Sequence, residues 1–161
     1  MLVLGIDPGS RYTGYGVVQK NGAELIYIAS GRINAARAGA LSARLPVIYE
    51  GICEIIETYS PDESAVESIF FAKNAMSSLK LGHARGVALL ALAMADVPLS
   101  EYPPTRIKQA VAGHGHATKD EVQQMVKVIL KLRGELAEDA ADALAIAICH
   151  CQVAGFAQRL R

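Results

Sequence analysis

The chain has 161 residues and is 52% hydrophobic, so it is the size of one domain and carries enough apolar surface to close a core without disulfides, which excludes a disordered chain. Its formal charge is zero, yet residues 1–70 carry 5 basic and 8 acidic groups, residues 71–133 carry 9 and 4, and residues 134–161 carry 2 and 4, so a basic middle stands between acidic ends. The weakly charged stretch 86–95 is half of the ~20 residues a membrane span needs, and Asp7 interrupts the apolar N-terminus too early for a signal peptide, so one cytoplasmic domain over residues 1–161, away from membranes, is expected.

Residues 2–6 form a short apolar run that ends in the turn chemistry of Asp7-Pro8-Gly9-Ser10, so a strand delivers Asp7 to its own end. Residues 13–20 and 24–33 read as two further strands, with Asn21-Gly22 as a two-residue hairpin between them. Leu41, Leu45, Ile48, Ile52, Ile55 and Tyr59 recur at helical spacing, with Pro46 tolerated in the first turn or two and Ser42 a candidate cap. Ser60-Pro61-Asp62 breaks that helix, and Ala65-Val66 leads as a short strand into Glu67. Residues 79–95, rich in Leu and Ala, read as a buried helix, and residues 97–102 as a fifth strand stopped by Pro103-Pro104. Thr105 can cap a short helix, Gly113-His114-Gly115-His116 is a flexible loop, Thr118-Lys119-Asp120-Glu121 is a capping box, and a last helix runs from about Glu138 past His150. This order predicts an α/β domain: a mixed five-stranded sheet whose first three strands are antiparallel, with helices on both faces.

Chemistry concentrates on carboxylates. Asp7 and Glu67 each end an apolar strand, where burial disfavours the charged form unless it is paired, hydrogen-bonded or on a metal. Asp142 lies on one helix face with either Glu138 or Asp139, since spacings of three and four share a face, and its alanine neighbours leave room for ions and a phosphate. Oxygen-only ligands point to Mg²⁺ or Mn²⁺. The basic middle, including Lys73, Lys80, Arg85 and Arg106, suits a phosphate-binding surface. Cys149-His150-Cys151 is spaced too tightly for a usual zinc pair and reads as buried thiols in an apolar helix.

Gly5-Ile6-Asp7-Pro8-Gly9, Val66-Glu67, Ala72-Lys73-Asn74-Ala75, Leu79-Lys80-Leu81-Gly82, Ala84-Arg85-Gly86 and Asp139-Ala140-Ala141-Asp142-Ala143-Leu144-Ala145 resemble, in this order over nearly the whole chain, the RuvC family of Holliday-junction resolvases. The resemblance implies a ribonuclease-H-like fold, a homodimer for which the helix over residues 79–95 is either the interface or monomer core, and paired symmetric nicking of four-way DNA junctions. It implies an acidic tetrad of Asp7, Glu67, Asp139 and Asp142 holding two Mg²⁺ ions, and so selects Asp139 over Glu138. It further implies that Phe70 stacks on a base near the crossover, that Lys108 and Lys119 meet phosphates, and that the RuvA and RuvB branch-migration proteins are partners. Two rival enzymes share the fold: an actin-like ATPase, which needs two lobes where one domain is expected here, and an RNA-processing nuclease, separable by its substrate. An inert junction-binding module would be expected to have lost one of the four acids.

Overall fold

The computed structural model describes residues 1–68 and 74–159, the side chains of 155–159 excepted. Five strands, β1 (Leu2–Asp7), β2 (Tyr12–Asn21), β3 (Glu24–Asn34), β4 (Glu63–Glu67) and β5 (Leu99–Tyr102), form one sheet in the order β3-β2-β1-β4-β5. The first three pair antiparallel, and β4 and β5 join in parallel through helical crossovers, as the element order requires. The helices are α1 (Leu41–Tyr59), α2 (Ala75–Met94), α3 (Pro104–Ala112), α4 (Lys119–Ile129) and α5 (Glu138–Arg159), with a short 3₁₀ turn over Ala36–Ala38.

Two cores flank the sheet. Val3, Val18 and Ala65 pack with α3, α4 and α5 on one side, whereas Leu4, Ile6, Val17 and Val66 pack with α1 and α2 on the other. Strand alternation then settles where the acids point. Val3 and Gly5 face α5, so Asp7 does too; Ala65 faces α5, so Glu67 does too. The register places Ile6 opposite Val66, which sets Asp7 and Glu67 side by side at the carboxyl ends of adjacent central strands.

At three positions of β1 and β2 helix α5 lies directly over glycine. A Cβ at Gly5 would collide with the Ala143 carbonyl, one at Gly14 with the Asp139 carbonyl, and one at Gly16 would lie 2.8 Å from Leu144. The first turn of α5 is thereby pressed onto β1 and β2, and Gly14, the register partner of Asp7, sits directly under Asp139.

Several local readings shift. The hairpin turn is Gly22-Ala23 rather than Asn21-Gly22: Asn21 still belongs to β2, and Gly22 alone takes a positive φ of 61°. Ser42 lies inside α1, whose N-cap is Ala40 with no side-chain cap, and Pro46 falls in the second turn. Thr105 caps nothing, because α3 begins at Pro104 with Pro103 as its N-cap and proline suits a position with no N–H partner. Residues 79–95 are only half buried: Ala84, Ala88, Ala91 and Leu92 face the core while Leu79, Leu90 and Met94 lie open, as does Met76 just before them. The Thr118 capping box forms as expected, its hydroxyl accepting from Glu121 N–H and the Glu121 carboxylate accepting from Thr118 N–H.

Far along α5, His150 is buried and ties three elements together. Its Nε2–H donates to the Glu63 carboxylate of β4, and the Tyr102 hydroxyl of β5 donates to its Nδ1 at 2.9 Å. Cys149 and Cys151 are buried free thiols, both pushed up to about 11 by burial. No described helix is long and apolar enough to cross a membrane.

Candidate metal and phosphate site

Asp7 from the end of β1, Glu67 from the end of β4 and Asp142 from the second turn of α5 line one cavity of about 280 Å³ with Lys108 of α3 and Lys119 of α4. Asp139 stands one helical turn back on α5 at the rim, beside the β2–β3 hairpin, with Arg32 Nη1 3.9 Å from its carboxylate. A second cavity adjoins Asp7 and Glu67 on the side of α2 and is walled by Pro8, Ser68, Leu81 and Arg85.

The acids are crowded and poorly solvated. The Asp7 carboxyl is raised from 3.8 to about 7, first by burial and then by the negative fields of Asp142, Glu67 and Asp139. Glu67 is raised by burial and by Asp142, against the pull of Lys108 and Lys119. Asp142 is raised by burial even though Lys119 sits 3.2 Å away. Lys119 also pairs with Glu138, and this contact is the main reason its ammonium pKa is raised. Among the described residues no three His, Cys, Asp or Glu side chains are drawn together tightly enough to hold an ion as they stand, so closing on one requires side-chain rotation.

The sequence expectations divide cleanly over this geometry. Asp7, Glu67, Asp142, Lys108 and Lys119 meet at one place, with Asp139 at its edge. Lys80 is exposed on α2. Arg85 is turned inward: its side chain is 9% exposed and its Nη2 lies 2.5 Å from the Glu101 carboxylate, so it ties α2 to β5 from the wall of the second cavity rather than standing on a basic surface. Phe70 and Lys73 lie outside the described residues. Sequence reasoning missed Arg32, Glu138 as the partner of Lys119, and the glycine bed beneath α5. The alternation Gly14-Tyr15-Gly16 within an apolar strand was the signal for that bed, since glycine inside a strand marks a close backbone approach.

Such a sheet, with acids at the ends of its two central strands and on the helix crossing them, defines a ribonuclease-H-like protein. A family model described as "Crossover junction endodeoxyribonuclease RuvC" matches residues 3–150. The chain is 51% identical over 161 residues to the crossover junction endodeoxyribonuclease RuvC of Geobacter metallireducens, covering 100% of this chain and 98% of that one. It is 55% identical over 150 residues to the protein of that name from Geotalea uraniireducens, covering 93% and 88%. Its structure is similar to that of T. thermophilus RuvC in complex with Holliday junction substrate, with a TM-score of 0.91 at 37% identity over 98% of this chain and 96% of that one. The fold alone is shared with the yeast mitochondrial Holliday junction resolvase Ydc2, at a TM-score of 0.70 and 16% identity over 98% and 81%. The chain belongs to the RuvC family, whose members are metal-dependent nucleases.

Proposed function

We propose that this protein is a single-domain resolvase over residues 1–161 that makes paired, symmetric nicks in four-way DNA junctions during recombination and repair, leaving 5′-phosphate and 3′-hydroxyl ends. The observation that carries the proposal is the cavity in which three carboxylates face two lysines, in a chain so similar to a relative solved with a Holliday junction. Working on chromosomal DNA, it acts in the cytoplasm, with the family's RuvA and RuvB as expected partners.

The donor set fits hard divalent cations. All four ligand candidates are carboxylates, and three of them sit above their ordinary pKa because they are buried among like charges, a strain that added positive charge relieves. Asp7, Glu67, Asp139 and Asp142 would hold two Mg²⁺ ions, or Mn²⁺ in their place, which supply Lewis-acid charge stabilisation and water activation when bound. The protein's own groups do the rest. Asp7, its carboxyl raised to about 7, would release its proton to solvent on becoming a ligand, and Lys119, now paired with Glu138 and Asp142, would turn to the DNA strand. Lys108 presents a second ammonium to the phosphate from α3, and Phe70 offers a base a stacking surface worth ~1–3 kcal/mol.

Two opposite strands are cut symmetrically only if two identical sites are related by a two-fold axis, so the protein acts as a homodimer. The open face of α2 supports this. Met76, Leu79, Leu90 and Met94 are exposed there, and Gly82 and Gly86 on the same helix have nothing within 4 Å of where a Cβ would stand, which leaves room for a second helix. Light scattering on the eluting protein should give twice the 17.1 kDa chain mass.

The deciding experiment incubates the protein with an end-labelled four-way junction, with linear duplex of the same sequence and with matched RNA, each in Mg²⁺ or EDTA. Paired nicks in the junction with Mg²⁺ alone are expected. Binding without nicks would make the protein an inert junction-binding module, equal cutting of duplex would remove junction specificity, and preferred cutting of RNA would make it an RNA-processing nuclease.

A further inference from the structure

Arg32 reaches the carboxylates from the side opposite the two lysines. It pairs across the sheet with Gly14, so its side chain projects onto the α5 face, where Gly14 lets the start of α5 settle against the sheet and brings Asp139 beside it. The guanidinium carbon stands 4.5 Å from the centroid of the Tyr12 ring, a cation–π contact that holds the group in place without using any of its N–H donors. Its nearest anion is Asp139, at 3.9 Å, which is an ion pair by distance but too long for a hydrogen bond, and the side chain keeps 50% of its surface exposed. An ion pair this long and this open contributes little to stability. What remains is a planar fork of donors at the rim of the acidic site, of a shape that suits two oxygens of one phosphate.

Lys108 and Lys119 stand on the walls made by α3 and α4, and Arg32 stands on the rim made by the β2–β3 hairpin, so the carboxylates lie between them. We propose that Arg32, held against Tyr12, grips a backbone phosphate of the strand being cut, beside the scissile one, and thereby registers that strand over Asp139 and Asp7. This rests on the reading of the protein as a junction nuclease. Arg32 is a positioning residue here. Its fork anchors the strand, and the carboxylates act on the neighbouring phosphate.

The test is the affinity of the full-length protein for a fluorescent four-way junction in EDTA, measured over a series of KCl concentrations for wild type, Arg32→Gln, Arg32→Lys and Tyr12→Leu. Losing one phosphate contact should reduce the slope of log K against log [KCl] by about 0.9 in Arg32→Gln. Affinity should fall about ten-fold, and equally for junctions of different sequence. Arg32→Lys should restore the slope while recovering only part of the affinity. Tyr12→Leu should keep the slope and weaken binding by less than Arg32→Gln does. An unchanged slope in Arg32→Gln with normal wild-type binding overturns the proposal, and a shifted Mg²⁺ requirement alone would then make Arg32 merely the partner of Asp139. A loss confined to certain junction sequences overturns it in favour of base contact. A wild type that binds no junction overturns the nuclease reading and this proposal with it.

Discussion

Where α5 crosses the sheet it meets glycine, at positions 5, 14 and 16, whereas α1 and α2 meet the opposite face through isoleucine, valine and tyrosine. At Gly5 and Gly14 of the first face the nearest atoms are backbone carbonyls, and backbone cannot rotate away. On the second they are branched side chains, which adjust: a Cβ at Gly51 of α1 would meet only the side chain of Ile33, at 2.8 Å. The difference matches what each face carries. Asp139 and Asp142 ride on the helix that has no slack, while α2 keeps a row of large apolar residues open to the outside. Precision is thus spent on the acids, and the outer layer is left to ordinary packing.

The largest effect expected from breaking this arrangement is chemical. Asp7→Asn keeps the shape of the site and removes one ligand charge, so cutting of a junction should fall by about a thousandfold or more while junction binding in EDTA changes little. Loss of binding in step with loss of cutting would show that Asp7 holds DNA rather than metal.

The comparison of faces is tested most directly by a pair of glycines. Gly14→Ala drives a methyl group into the Asp139 carbonyl, and should cost ~3 kcal/mol or more in urea unfolding and depress cutting further than the stability loss explains. Gly51→Ala meets a movable side chain and regains helix propensity, so its cost should stay below ~1 kcal/mol. Equal costs would remove the distinction between the faces.

Charge sharpens the same contrast through pH. With its pKa raised from 3.8 to about 7, Asp7 favours the folded metal-free protein while protonated. That contribution is complete below pH 3.8 and is lost as pH rises through about 7. Glu67 and Asp142, also raised, act in the same direction. Unfolding in EDTA should therefore show this site's contribution to stability falling over that window, and Asp7→Asn should flatten part of the fall. Mg²⁺ affinity should run the other way, tightening with pH because the ion displaces a proton.

The smallest effect on cutting belongs to the middle of α5. His150→Phe removes the buried bonds to Glu63 and Tyr102, and should cost ~1–3 kcal/mol of stability in denaturant unfolding while sparing the acidic site, about two to three turns back along the helix. Cutting that fails at temperatures where the variant is fully folded would mean that α5 transmits its anchoring along its whole length.

Much of this was written in the chain itself. Period-two and helical apolar spacing determined the five strands and five α-helices among the described residues and their order, and the acids at strand ends and on the last helix were visible as chemistry without a partner. The turn at Gly22-Ala23 and the caps of α1 and α3 were misplaced, because a cap depends on where the preceding chain enters, and that is settled by packing. Residues 79–95 read as buried because Leu and Ala suit a core and an interface alike. Tertiary structure alone decided that Asp7, Glu67 and Asp142 share one cavity, that Arg85 faces inward to Glu101, and that Arg32 stacks on Tyr12 beside Asp139. The reason is physical: spacing along a chain constrains neighbours within one element, but distances between elements follow from how closely their backbones approach, and here three glycines allowed a helix to settle onto the sheet.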